Sequence, residues 1–116
     1  MVIPLIETMD AARNLEAILR VPDIDAFFFG PADFSASAGQ PGEWEGEGIA
    51  EELLGIKERI LAAGYACGVI ATGISDGRAR IAQGFRMIGL GVECALLIRS
   101  ITEMMDALGG SASDTR

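Results

Sequence analysis

The sequence predicts an α/β fold in which parallel strands alternate with helices. Three apolar segments carry this prediction: AFFFG at residues 26–30, ACGVIA at 66–71 and MIGLGV at 87–92. Each is followed by a glycine- or polar-rich turn and then by helical spacing of apolar residues. Strands that are apolar at nearly every position are typical of parallel sheets. Each helix returns the chain to the same end of the sheet, which requires the strands to be parallel.

The elements follow in four strand–helix units. Thr8 is the predicted N-cap of the first helix. Ile49, Leu53, Ile56 and Ile60 share one face of the next long helix, which should end at Gly64 in the left-handed conformation. The predicted strands are residues 2–6, 26–29, 66–71 and 87–92; the helices are 8–19, 49–64, 76–83 and 95–108, with a long loop over 30–48.

Two architectures fit this order of elements. In the first, residues 1–108 form four βα units, half of a TIM (β/α)8 barrel, and residues 109–116 form a frayed polar tail. In the second, the sheet is open and flavodoxin-like, with helices on both faces. We favour the half-barrel, because the acids and the long loop gather at the carboxyl ends of the strands. A half-barrel leaves an apolar inner face and two sheet edges uncovered.

Composition limits the classes of function. The chain has 116 residues and a net charge of −8, which argues against nucleic-acid binding because phosphates select basic surfaces. It has no signal-peptide pattern and no apolar stretch long enough to span a bilayer, so we expect a cytoplasmic location and no membrane partner. It has no histidine, so the commonest general base cannot come from this chain.

Two carboxylates stand directly after apolar strands. Glu7 follows the first strand, and Asp33 follows the second within FFFGPADFSASAG. Acids at the carboxyl ends of neighbouring parallel strands are suited to a hard divalent cation, Mg²⁺ or Mn²⁺, with positions left for water and substrate. The alternative is that Asp33 caps a turn and Glu7 merely opens the next helix.

The segment Gly30-Pro31-Ala32-Asp33 adds a second feature to this candidate site. Gly30 allows a sharp turn, after which backbone amides can point at an anionic oxygen beside the metal. A 2-oxo acid fits this arrangement, because its carboxylate and keto oxygens both reach the cation while the amides hold the carboxylate. Polarisation of the keto group would stabilise the enolate that aldol cleavage or addition requires.

Several motifs resemble one enzyme family. PLIET at residues 4–8, NLEAIL at 14–19, VPDIDA at 21–26 and FFFGPADFSASAGQPGEW at 27–44 are similar to the hydroxy-oxo-heptanedioate aldolase and citrate lyase β-subunit family. The resemblance continues through AAG at 62–64, GVIA at 68–71, GFRMI at 84–88 and GLGVE at 89–93. It covers nearly the whole chain, but only the C-terminal half of a full-length family member.

The resemblance implies a metal-dependent βα-barrel lyase acting on pyruvate-type enolates and an aldehyde or acyl partner. It implies that Glu7 and Asp33 are the metal ligands. The backbone at Ala32 and Asp33 would contact the substrate carboxylate, and Ile70 would lie in the apolar wall near the substrate.

Two single residues and one four-residue segment depart from the family pattern. Leu5 stands where many members carry a glutamine, EGEG at residues 45–48 replaces a His-Pro-Glu stretch, and Glu93 replaces a frequent aspartate. The catalytic histidine and carboxylate-binding arginine of the family belong to the N-terminal half.

We therefore expect a class II aldolase-type carbon–carbon lyase unit whose general base lies outside this chain. The alternative is a non-catalytic truncated half-barrel that serves only as an assembly module or remnant. The expected partners are a small 2-oxo acid, an aldehyde, and either further copies of the chain or a complementary N-terminal half-barrel. A broad apolar stripe on the last helix suits packing against another subunit, but it is equally compatible with an ordinary barrel helix.

Overall fold

The computed structural model describes residues 1–43 and 45–109 of the chain. In these residues four strands alternate with helices, as the sequence predicts. The strands are β1 (Leu5–Ile6), β2 (Ala26–Phe29), β3 (Ala66–Ala71) and β4 (Met87–Leu90). The helices are α1 (Met9–Arg13), α2 (Leu15–Ile18), α3 (Pro31–Ser37), α4 (Ile49–Ala62), α5 (Ile74–Ala82) and α6 (Glu93–Ala107).

The four strands form one parallel sheet in the order β1-β2-β3-β4. Each strand lies beside its predecessor in sequence, so the chain advances steadily in one direction. A doubly wound sheet reverses its strand order and carries helices on both faces, whereas a βα barrel does neither. The chain is therefore four βα units forming half of a TIM barrel, and the flavodoxin-like alternative is wrong.

The hydrophobic core lies on one face of this sheet, between the strands and the helices. Phe27 and Phe29 on β2 point into it and make edge-to-face contacts with Tyr65 and Phe85, at centroid distances of 5.3 and 5.9 Å. The other large buried side chains of this core include Ile6, Leu15, Ile56, Ile60, Cys67 and Val69. The opposite, inner face carries the alternate strand residues, and Leu5 on that face is 54% exposed. Among residues 1–43 and 45–109, the helices therefore cover only the outer face of the sheet.

The predicted loop over residues 30–48 is wrong at its start, because residues 31–37 form α3. Pro31 occupies the first turn, where its missing N–H costs nothing, and Asp33 adds a negative charge to that turn. The Gly/Pro/Ser/Ala composition of the segment suggested irregular structure, but alanine and a first-turn proline are also favourable for a helix.

The predicted first helix is also interrupted. Asn14 separates α1 from α2, and its side-chain amide donates to the Asp10 carbonyl at 2.9 Å, beside its own backbone N–H, which donates to the same carbonyl at 3.0 Å. Gly64 follows α4 with a φ of 90°, which confirms its predicted left-handed conformation.

Other boundaries shift by a few residues, as element ends commonly do. α5 begins at Ile74, α6 at Glu93, and β4 ends at Leu90. The predicted start of the first strand is partly supported, because the Val2 and Pro4 carbonyls already accept hydrogen bonds from the β2 segment. Most of the predicted frayed tail, residues 110–116, lies outside the described residues.

The last helix contributes nothing to the core of this chain. No residue of α6 is buried, and its apolar side chains Leu97 and Ile98 are 62% and 65% exposed. Packing against another subunit and packing against further elements of a barrel both stay predictions for this stripe. Among the described residues no helix is both long and apolar enough to cross a membrane.

Candidate functional site

The inner face of the sheet is organised in rows of paired residues. The strand register pairs Leu5 with Phe28, Phe28 with Gly68, and Gly68 with Met87, forming a lower row. Two residues further along each strand the side chains point to the same face again. This upper row lies at the carboxyl ends of the strands and contains Glu7, Gly30, Ile70 and Gly89, with Ile70 paired to Gly89. The structure thus brings the predicted site residues Glu7 and Ile70 into one row.

Glu7 and Asp33 converge at Gly30. A methyl group built on Gly30 would lie 2.9 Å from Glu7 Oε2 and 3.7 Å from Asp33 Oδ2. Both carboxylates therefore lie within 4 Å of the point where a side chain at residue 30 would project. Gly30 has a φ of −104°, which any residue can adopt, so glycine is required here for space and not for backbone conformation. Two acids beside one glycine are the arrangement that the metal-site hypothesis requires, and their role as metal ligands stays a prediction.

The position of Asp33 follows from the packing of α3. Pro31 and Phe34 are buried, and they fix the helix so that the intervening Ala32 and Asp33 face solvent at the carboxyl end of β2. The first hydrogen bond of the helix runs from the Phe34 N–H to the Gly30 carbonyl at 2.9 Å. The amides of Ala32 and Asp33 precede that bond, as first-turn amides of a helix do. These two amides therefore have no acceptor within the helix.

Two serines that the sequence analysis assigned no role hold this geometry together. Ser37 Oγ accepts a hydrogen bond from the Met9 N–H at 3.0 Å and so ties α3 to the segment that follows Glu7. Ser35 is fully buried and donates to the Ala32 carbonyl at 2.8 Å. The Ser-Ala-Ser spacing directly after Asp33 was the available signal, but the partners of both serines depend on helix formation that the sequence analysis did not predict.

A third carboxylate, that of Asp76 in α5, already forms hydrogen bonds and an ion pair within the fold. Asp76 accepts hydrogen bonds from the Thr72 N–H at 2.8 Å and from the Thr72 hydroxyl at 3.2 Å, and its other oxygen lies 2.8 Å from Arg80 Nε. Burial raises the pKa of Asp76, but these hydrogen bonds and the charge of Arg80 outweigh burial and leave its pKa below the ordinary value. Asp76 therefore anchors the turn after β3 rather than offering oxygens to a ligand.

The donor set at Gly30 suits a divalent cation that shares its coordination with other ligands. Within the part of the chain that the structure describes, no group of three or more His, Cys, Asp or Glu residues converges on one point. Two carboxylates, one half-buried and one exposed, leave room for substrate oxygens and water, as Mg²⁺ and Mn²⁺ sites commonly do. The residues present therefore fit the predicted metal.

Known proteins resemble this chain in sequence and in fold. Residues 1–100 match the HpcH/HpaI aldolase/citrate lyase family. A hydroxypyruvate/pyruvate aldolase of Pseudomonas aeruginosa is 33% identical over 110 residues, which cover 92% of this chain and 40% of that protein. A 2-keto-3-deoxy-L-rhamnonate aldolase of Salmonella paratyphi B is 38% identical over 105 residues, which cover 88% of this chain and 37% of that protein.

Two solved structures show the same fold. An HpcH/HpaI aldolase/citrate lyase family protein from Burkholderia cenocepacia superposes with a TM-score of 0.85 at 24% identity, over 93% of this chain and 42% of that one. An HpcH/HpaI aldolase from Desulfitobacterium hafniense gives a TM-score of 0.84 at 21% identity, over 98% and 44%. The chain thus spans less than half the length of the relatives it matches. With the family match covering residues 1–100, the chain belongs to the HpcH/HpaI aldolase/citrate lyase family.

Proposed function

We propose that this chain is the metal- and enolate-binding half of an aldolase-type carbon–carbon lyase acting on 2-oxo acids. The observation that carries the proposal is the convergence of the Glu7 and Asp33 carboxylates at Gly30. Aldolase relatives support the reaction class, since the proteins similar to this chain include a hydroxypyruvate/pyruvate aldolase and 2-keto-3-deoxy-L-rhamnonate aldolases. Metal dependence, the pyruvate-type substrate and the aldehyde partner are parts of this proposal.

Each residue has a defined role in this mechanism. Glu7 and Asp33 would hold Mg²⁺ or Mn²⁺, which when bound supplies the positive charge that stabilises an enolate. The amides of Ala32 and Asp33 donate to the substrate carboxylate and so orient the 2-oxo acid. Ile70, in the same inner row as Glu7, excludes water beside the carbon that becomes the nucleophile.

The proton transfer at the aldol hydroxyl requires a base from outside this chain. The sequence contains no histidine, and the described residues leave the inner face, which carries the upper row, uncovered. A complementary N-terminal half-barrel would close the sheet edges at β1 and β4 and present a base across the barrel mouth. This arrangement places the metal side and the acid–base side of the site on opposite halves of one barrel.

The exposed apolar side chains of α6 suit contact with another copy of the chain. Leu97, Ile101 and Met104 lie along one side of α6 and are all exposed, at 62%, 45% and 56%. Beside the start of α6, a groove of 380 Å³ between α5 and β4 is lined by apolar residues that include Ile74, Ile81 and Leu90. An exposed apolar stripe and an exposed apolar groove on one chain suit contact between copies, so the assembly would be a homo-oligomer.

Metal titration tests the proposed function. Mn²⁺ binding is followed by electron paramagnetic resonance with and without oxalate, which mimics the enolate. We expect binding that tightens with oxalate, is lost in Glu7→Ala and Asp33→Ala, and is retained in Asp106→Ala, a matched carboxylate far along α6. A folded protein that binds no Mn²⁺ would overturn the proposal and leave the non-catalytic assembly module as the better description.

Sedimentation velocity tests the homo-oligomer. Ile101→Lys places a charge in the centre of the α6 stripe, and Thr102→Lys, at an exposed polar position of the same helix, is the matched control. We expect the first substitution to lower the sedimentation coefficient and the second to leave it unchanged. A monomeric wild-type protein would refute contact between copies.

A further inference from the structure

The helix that follows a strand in a βα unit normally packs back onto the sheet beside that strand. α4 does so after β2, and its Ile56 and Ile60 are buried in the core against the strands. α6 follows β4 but behaves differently, because none of its 15 residues is buried. Gly91 lies between β4 and α6 and has a φ of 78°. After this turn α6 extends away from the sheet instead of covering it.

An apolar groove lies where a helix after β4 would pack. The groove has a volume of 380 Å³ and is bounded by α5, by the carboxyl ends of β3 and β4, and by the start of α6. Ile74 and Ile81 on α5 and Leu90 on β4 line it, and they are 79%, 61% and 76% exposed. Ile88, two residues before Leu90 and on the same face of β4, packs against the core. The groove therefore continues the outer face of the sheet, which the preceding helices cover.

The exposed stripe of α6 matches this groove in apolar character. From Leu97 to Leu108 the apolar residues recur at intervals of three and four, so the stripe follows one side of the helix for about 16 Å. Among the described residues of α6, Leu96 and Arg99 border the groove and the residues of the stripe do not. One chain therefore carries both an uncovered groove and the kind of helix that would cover it, held apart from each other.

We infer that two copies of the chain exchange α6, each helix lying in the groove between α5 and β4 of the other copy. This inference deepens the homo-oligomer part of the proposed function and rests on it. A second copy covers the groove and the stripe in a single contact, and the two contacts are equivalent, so they close a two-fold dimer. α6 supplies 15 residues from each copy. With the groove residues, each copy approaches the roughly 20–30 residues that stable interfaces use.

Cross-linking between copies tests the exchange. Ile81→Cys in the groove and Ile101→Cys on the stripe are made in separate chains, each also carrying Cys94→Ser to remove the exposed native thiol. Both isoleucines are exposed, at 61% and 45%, so neither substitution disturbs the core. The two chains are refolded together, one with a mass tag, and treated with a short bismaleimide. Asp106→Cys, on the opposite side of α6, replaces Ile101→Cys in the matched control.

We expect a cross-linked pair of one tagged and one untagged chain. Thiols held in one contact react at a local concentration near millimolar, so the yield should exceed that of the Asp106→Cys control by about tenfold or more. A third sample carries Ile81→Cys and Ile101→Cys in the same chain and is run at the same protein concentration. In this sample, too, the product should join two chains.

Three results would overturn the inference. A cross-link within single chains of the double variant would mean that α6 folds back into its own groove. An oligomeric wild-type protein whose mixed chains cross-link no better than the control would keep the homo-oligomer and leave the groove to a different surface, such as an N-terminal half-barrel. A monomeric wild-type protein in sedimentation velocity would overturn the exchange and the homo-oligomer together. Mn²⁺ and oxalate titration of the same samples tests the metal–enolate site separately.

Discussion

Replacing Gly30 by alanine tests the geometry of the site directly. The added carbon would lie 2.9 Å from Glu7 Oε2 and 3.0 Å from Glu7 Cβ, whereas carbon contacts are optimal at about 3.5–4.0 Å. The carboxylate end can rotate away, but Cβ moves only with the backbone of residue 7. Overpacking of this kind costs about 1–3 kcal/mol, and the partial exposure of Glu7 favours the lower end.

Displacement of the Glu7 side chain by the added methyl group should also weaken metal binding. Loss of support for a ligand typically lowers metal affinity by about 10–100-fold. We expect Gly30→Ala to unfold at lower urea concentration, with a loss of about 1 kcal/mol in the free energy of unfolding, and to bind Mn²⁺ about tenfold more weakly. Urea titration followed by circular dichroism and Mn²⁺ resonance titration measure the two effects separately.

Gly55→Ala is the matched control for this substitution. Gly55 lies in the middle of α4, is exposed, and has no neighbouring atom within 4 Å of an added methyl group. Alanine there should stabilise the helix by up to about 1 kcal/mol and leave Mn²⁺ affinity unchanged. The reasoning fails if Gly30→Ala is as stable as the control and binds Mn²⁺ with wild-type affinity, because Glu7 then does not lie against Gly30.

Three further predictions concern other parts of the fold. Burial raises the pKa of the Cys67 thiol to about 11, whereas Cys94 is exposed. A thiol reagent at pH 8 should therefore modify Cys94 rapidly and Cys67 only on unfolding. Rapid modification of both cysteines in the folded protein would contradict this prediction. The lowered pKa of Asp76 contributes stability that is present above its unfolded pKa of about 3.8 and is lost as pH falls through the folded value. Asp76→Asn should therefore lower the midpoint of urea unfolding at pH 7 much more than at pH 2.5, and equal losses at both pH values would refute the assignment. Ser37→Ala leaves the Met9 N–H without its side-chain acceptor. We expect the free energy of unfolding to fall by about 1 kcal/mol and Mn²⁺ affinity to fall measurably. A loss of stability with unchanged Mn²⁺ affinity would show that Ser37 does not position Glu7.

Strand positions were predicted well where the apolar signal is local. The bounds of β2 and β3 agree with the predicted 26–29 and 66–71, because the apolar residues there are contiguous and end at glycines or polar residues. The segment 30–48 was predicted poorly at its start. Its glycines, serines and prolines are typical of loops, and α3 owes its stability partly to burial of Phe34, a tertiary contact that no local pattern reveals.

In the candidate site, too, the features set by local sequence were predicted and those set by tertiary contacts were not. Glu7 and Asp33 were identified from their places after two apolar strands, and the structure brings them together. The support from Ser37 and the position of the Phe28 ring were not identified. Both depend on segments distant in sequence, since Ser37 contacts Met9 and Phe28 lies over Gly68 and Gly89.

By itself the sequence determined the alternation of strands and helices, the parallel sheet and the two acids at its carboxyl end. These follow from the periodicity of apolar residues and from short motifs, which act within a few residues of chain. Only the tertiary structure decided the strand order, the one-sided core, the convergence at Gly30 and the exposure of α6. Those features depend on register and packing between segments far apart in sequence, where the free energy comes from burial that no single segment achieves alone.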